Sequence, residues 1–196
     1  MTTPARAAAA LATLFCFLVI LIAAAASAVT AAVTSPLNSL WHVVAGDPAD
    51  TATTWSSTDY VGVIAAAEQD APTPAAAKAI AFAAAQIGKP YVWGGTGNPG
   101  YDCSGLTQAA YRSAGVDIPR VATAQYMAGP KVELRSLLPG DLVFYGSPQF
   151  AHHVAIYLGA IRGESVVLNA PAPHETVRLD PLMAGDLFAA SRPAGA

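Results

Sequence analysis

Charge is scarce in this chain. Only 12% of its 196 residues are charged and 54% are hydrophobic, where an ordinary soluble domain is about 25% charged. The shortage is uneven. Before Asp47 the only charged side chain is Arg6, and Ala7 to Val33 is an uncharged run of 27 residues. Thr34 to Pro74 holds five acidic residues and no basic one, while Ala75 to Ala196 holds nine basic and eight acidic. The formal net charge of −3 is thus +1 from the head, −5 from the middle and +1 from the tail. No stretch clusters Lys and Arg as phosphate contacts require, which excludes nucleic-acid binding through a basic face. Cysteine is scarcer still. Of the two, Cys16 lies in the apolar head, so Cys103 stands alone and a disulfide framework is ruled out. HExxH and paired-cysteine patterns are absent, and His152, His153 and His174 lack metal-ligand spacing, so neither a metal nor a cofactor is expected. There is no internal repeat. About 120 residues remain beyond the head and the acidic stretch, enough for one domain and not two.

What is present begins with the head. A membrane-spanning helix needs about 20 apolar residues, which Ala7 to Val33 supplies, and Ala26-Ser27-Ala28 also fits a signal cleavage site. One N-terminal apolar helix is therefore expected in residues 1–33, as a transmembrane anchor or a signal peptide. Arg6 before the run and acidic residues after it place the remainder outside the cytoplasm, anchored to the membrane or secreted. Residues 34–74, rich in Thr, Ser, Asp and Ala, are expected to form a solvated acidic tether, with a short helix over Asp59 to Gln69 as an alternative for its second half.

The domain is expected over residues 75–196. Ile80, Ala84 and Ile87 recur at helical spacing in Ala75 to Ile87, stopped by Gly88 and Pro90. A Gly-dense loop follows from Tyr91 to Asp102. A second helix fits Cys103 to Ala114, with Asp102 as its cap, Leu106, Ala110 and Ala114 as its stripe and Gly115 as its stop. Short β-branched or aromatic runs at Asp141–Tyr145, His153–Leu158, Ser165–Leu168, Val177–Leu179 and Asp186–Ala190 predict strands. Helices first and strands later predict an α+β domain, its N-terminal helices packed on an antiparallel sheet.

Cys103 falls in the first turn of the second helix. The partial positive charge there favours thiolate, so a lowered thiol pKa and a nucleophilic role are expected. A cysteine nucleophile needs a base, and the base needs an orienting group. His42 sits in the tether and His174 in a Pro-flanked loop, where exposure suffices as an account of both. His152 and His153 precede a strand and alternate in direction, so one of them faces Cys103; His153, adjoining Val154, is the expected base. Asn169 closes the next strand after three apolar residues and offers an amide to orient the imidazole, as in Cys-His-Asn arrangements.

The residues now carry a resemblance. Gln86-Ile87-Gly88-Lys89-Pro90-Tyr91-Val92-Trp93-Gly94-Gly95 is followed by Asp102-Cys103-Ser104-Gly105-Leu106 and Ile118-Pro119-Arg120. Leu138-Pro139-Gly140-Asp141-Leu142-Val143-Phe144-Tyr145 and His153-Val154-Ala155-Ile156-Tyr157-Leu158-Gly159 complete the series. Five motifs in this order, spanning about Ala75 to Arg192, resemble the NlpC/P60 family of papain-like cysteine peptidases that cleave cell-wall peptides. The resemblance implies Cys103 as nucleophile, His153 as base and Asn169 as orienting residue, at a position where many members carry His. It further implies Tyr91, Asp102, Ser104 and Arg120 as substrate-binding residues and peptidoglycan stem peptides as substrate, cut between γ-D-glutamyl and a diamino acid. A related amidase or acyltransferase, and a catalytically silent wall-binding module, are the alternatives.

Overall fold

The computed structural model describes residues 55–195. The expected apolar helix of residues 1–33 and residues 34–54 of the expected tether lie outside the described residues. Among the described residues no helix is long and apolar enough to cross a membrane.

Among the described residues, four α-helices precede a six-stranded sheet. The helices are α1 (Ser57–Asp70), α2 (Pro74–Ala84), α3 (Cys103–Ser113) and α4 (Ala122–Ala128). The strands are β1 (Lys131–Val132), β2 (Leu142–Ser147), β3 (Phe150–Ile161), β4 (Glu164–Asn169), β5 (Arg178–Pro181) and β6 (Leu187–Ser191). They pair antiparallel throughout in the order β1-β6-β2-β3-β4-β5. The α+β reading therefore holds, with helices first and the sheet after.

Each helix starts where the local chemistry allows. Thr73 accepts from the Ala76 N–H and Pro74 opens α2, its missing N–H costing nothing in a first turn. Asp102 accepts from the Gly105 N–H and starts α3 as expected. Ser56 and Asp59 form a reciprocal capping box that starts α1. This helix changes the expected boundary. Trp55, Val63 and Ala67 are buried in the same cluster as Ile80, Leu106 and Val154, and Arg162 of the β3–β4 turn bonds Asp59 at 2.8 Å. The second half of the expected tether is thus helix packed on the core of the expected domain.

Two apolar layers hold the sheet. The larger joins α1, α2 and α3 to Leu142, Phe144, Val154, Ile156 and Leu168. The smaller, on the opposite sheet face, gathers Val143, Tyr145, Ala155, Val167 and Ala190. Period-2 alternation along β2 explains the split: residues 142 and 144 point one way, 143 and 145 the other. Strand β3 is longer than expected and runs through both histidines. It turns into β4 through Arg162 and Gly163, whose φ values of 50° and 86° suit a two-residue hairpin turn. Strand β1 and helix α4 lack a sequence signal of their own; β1 is two residues long and α4 has no side-chain cap.

At one corner Asp141 is fully buried. Arg192 donates to both its oxygens at 2.8 and 2.9 Å, and the Leu138 N–H adds a third bond at 2.8 Å. The Tyr111 hydroxyl donates to the neighbouring Gly140 carbonyl. Helix α3, the start of β2 and the end of β6 are thereby tied together.

Candidate active site

The Gly-dense loop and the start of α3 are built against each other. A Cβ on Gly105 would stand 2.0 Å from the Gly95 carbonyl oxygen, and one on Gly100 would stand 1.9 Å from that of Pro90. Only glycine permits this approach. Asp102 lies at the junction. Its Oδ1 accepts from the Gly105 N–H at 2.7 Å and from Arg120 at 2.9 Å, and its Oδ2 from the Gly94 N–H at 3.0 Å and from Arg120 at 2.6 Å. A carboxylate has about four lone-pair sites, and those of Asp102 are met within the chain. Arg120 also donates to the Ser104 hydroxyl at 3.0 Å and to the Gly95 carbonyl at 3.4 Å. The expected residues Asp102, Ser104 and Arg120 thus form one bonded unit around the first turn of α3.

Behind that turn, the single Thr107 hydroxyl proton is shared between the Ser104 carbonyl at 3.0 Å and Gln125 Oε1 at 2.8 Å. Gln125, 2% exposed, donates to the carbonyls of Ser104 and Pro119 at 2.9 Å each. Polar residues at 107 and 125 carry no motif, and their pairing across 18 positions is a product of packing.

Cys103 is the first residue of α3 and is buried. Burial pushes its thiol above the ordinary range, and the charge of Asp102 adds to the rise. Hydrogen bonds from the main chain of Val154 and Ser104, and from the Ser104 side chain, oppose it without cancelling it. The expected lowering by the helix start is therefore not the outcome: desolvation outweighs it. The bond to Val154 also places the thiol beside β3 at the residue following His153. Tyr91 lies close enough that the charges of Cys103 and Asp102 add to the burial that raises its own pKa.

His153 lies on the smaller-layer face of β3, its ring centroid 5.6 Å from that of Tyr145. Burial lowers its pKa, with a hydrogen bond to Asn169 opposing and the charge of His152 reinforcing. His153 Nε2 and Asn169 Oδ1 are 2.9 Å apart. Asn169 Nδ2 in turn donates to Asp180 Oδ2 at 2.9 Å and to the Arg178 carbonyl at 3.5 Å. Both shifts, up for the thiol and down for the imidazole, favour the neutral pair in the free protein.

His152 points away to a separate partner, with Nε2 2.6 Å from Asp186 Oδ2. His174 sits in its loop with φ 71°. His42 lies outside the described residues. Among the described residues, no cluster of three or more His, Cys, Asp or Glu side chains is arranged to hold a metal. Sequence reasoning missed Asp180 and Arg178. Their alternation with Leu179 was visible, but their apposition to Asn169 follows from the β4–β5 register alone.

The sequence and the fold are similar to those of known proteins. A γ-D-glutamyl-L-lysine dipeptidyl-peptidase of Bacillus cereus is 36% identical over 124 residues, which are 62% of this chain and 36% of that protein. The chain therefore spans little more than a third of that relative's length. The crystal structure of the NlpC/p60 domain of the peptidoglycan hydrolase SagA superposes with a TM-score of 0.52 at 37% identity, covering 60% of this chain and 97% of that one. RipD of Mycobacterium tuberculosis, described as a non-catalytic NlpC/p60 protein adapted to peptidoglycan binding, gives a TM-score of 0.52 at 30% identity and covers 60% and 96%. The model of the NlpC/P60 family matches residues 88–188, just over half of the chain. With a family model matching over half of the chain and the fold in agreement, the chain belongs to the NlpC/P60 family.

Proposed function

We propose that this protein is a cysteine peptidase that hydrolyses peptidoglycan stem peptides outside the cytoplasm, at the γ-D-glutamyl–diamino acid bond. The observation that carries the reading is the joint presence of a thiol at the first residue of α3 and a half-buried imidazole bonded to Asn169, in a chain of this family. The bond preference rests on the Bacillus relative's stated activity. RipD shows that a family member can bind without catalysis; retention of Cys103, His153 and Asn169 favours the enzyme.

In this mechanism Cys103 Sγ attacks the γ-D-glutamyl carbonyl carbon while its proton passes to His153. The carbonyl oxygen takes the negative charge and is met by the Cys103 main-chain N–H at the helix start. The tetrahedral intermediate collapses, the C–N bond breaks and the imidazolium gives its proton to the departing amine. Water then attacks the thioester with His153 as base, releasing the acid and restoring the thiol. Tyr91, Asp102, Ser104 and Arg120 are assigned to the substrate wall, in which Asp102, its own acceptors filled, acts by holding Arg120 and the first turn of α3 in place. No metal enters any step. An apolar segment in residues 1–33 holds the protein at the membrane, or is removed on secretion.

Mass spectrometry of muropeptides incubated with the full chain tests this. Cleavage between γ-D-glutamate and the diamino acid is expected, with loss of at least about 10³-fold in rate for Cys103→Ala. Intact cleavage by Cys103→Ala would sink the assignment. Binding without cleavage by the native chain would return the wall-binding reading.

A further inference from the structure

We propose that Asp180 is a positioning residue for the imidazole, holding the Asn169 amide in the one orientation that leaves His153 Nδ1 unprotonated. Its consequence for catalysis rests on the function proposed above; the geometry itself concerns only β3, β4 and β5.

An asparagine amide can present either its oxygen or its NH2 group to a neighbour, and nothing in the residue chooses between them. Here the surroundings choose. One end of Asn169 faces the Asp180 carboxylate at 2.9 Å and the Arg178 carbonyl at 3.5 Å. Both groups only accept, so that end must be the NH2. Turning the amide over would set its oxygen against a carboxylate and lose both bonds. The remaining end, Oδ1, faces His153 Nε2 at 2.9 Å and requires a proton on that nitrogen. A neutral imidazole carries one proton. With the proton on Nε2, Nδ1 keeps the lone pair that can take a proton from the thiol. With the amide reversed, Nε2 would accept, Nδ1 would hold the proton, and the base would be lost.

Asp180 is itself fixed. Arg178 Nε donates to its Oδ1 at 2.8 Å, and Arg178 also pairs with Glu175 at 3.3 Å. Strand register makes the arrangement: Asn169 lies opposite Arg178 and Val167 opposite Asp180 on the antiparallel pair. The Asp180 carboxylate therefore reaches Asn169 diagonally, across one pleat repeat, a distance long side chains span.

The test uses the full chain labelled with ¹⁵N-histidine, the His153 signals being assigned by their loss in His153→Gln. Two-bond ¹H–¹⁵N spectra near neutral pH are expected to show His153 with its proton on Nε2. Asp180→Leu removes the acceptor and is expected to give a mixed or Nδ1-protonated His153, with kcat lower by about 10²-fold, the lower end of what a general base supplies, and KM nearly unchanged. Asp180→Asn keeps an acceptor oxygen for the amide and is expected to preserve the tautomer and most of kcat. Two results would overturn the proposal: a native His153 protonated on Nδ1, which needs no Asp180 variant to be observed, or a folded Asp180→Leu that keeps the native tautomer and rate. If Cys103→Ala still cleaves while the His153 tautomer follows Asp180, the catalytic reading fails and the positioning of the imidazole stands.

Discussion

At the scale of single residues, Cys103 and His153 are held away from their charged forms by burial. The sign of the pH dependence follows. A lowered imidazole pKa keeps His153 neutral to more acid pH, so the acid limb of kcat/KM is expected below about pH 6.5, the ordinary histidine value. His152→Gln removes a neighbouring positive charge that helps lower His153 and leaves Asp186 unpaired, and both changes move that limb toward higher pH. A pH–rate series on native protein and this variant measures both effects. Much at this scale was legible in the sequence because it is local. Asp102 caps the helix three residues from its partner Gly105, and Cys103 follows it. What was not legible is the sign of the thiol shift, since it depends on how much chain covers Cys103, and the bond from Asn169 to Asp180, which depends on register.

At the scale of elements, α1 is the helix given above as the alternative for the second half of the tether, and its packing on the core is what was not expected. Its sequence, STDYVGVIAAAEQD, is acidic and Ala-rich, and its apolar residues make no strong stripe, so composition favoured a tether. The helix is fixed by what it packs on: Val63 and Ala67 are buried, Trp55 closes its start, and Asp59 reaches Arg162. Burying one large aliphatic or aromatic side chain contributes about 1.5–3 kcal/mol. A chain beginning at Ala71 is therefore expected to be less stable than one beginning at Ala52 by at least about 2 kcal/mol. Urea titrations of the two chains check this, and equal midpoints would show that α1 contributes nothing. Helices α2 and α3 and strands β2 to β6 were legible within a few residues, because Gly, Pro and capping residues punctuate them. Strand β1 and helix α4 were not, since neighbours and not their own pattern define them.

At the scale of the whole molecule, the order β1-β6-β2-β3-β4-β5 brings the last strand back beside β2, in the middle of the sheet. No local signal encodes that return. It is secured by the Asp141–Arg192 pair, whose acidic partner has no exposure. Removing one member of a buried pair leaves an uncompensated charge and costs about 3–5 kcal/mol. Arg192→Leu is therefore expected to destabilise the fold by that order, and Arg192→Lys by less, in thermal or denaturant unfolding. Neither residue touches Cys103 or His153 in any bond described above, so the loss is expected in stability first, with muropeptide cleavage retained wherever the variant stays folded.

The covering of Cys103 has a further consequence, for the durability of the proposed nucleophile. Peroxides and disulfides react with the thiolate and scarcely with the thiol. A lone cysteine kept protonated until a substrate carbonyl arrives is thus shielded from the oxidants of the space beyond the membrane in which we propose it works. On that proposal, the burial that withholds the thiol's reactivity at rest also preserves it between turnovers.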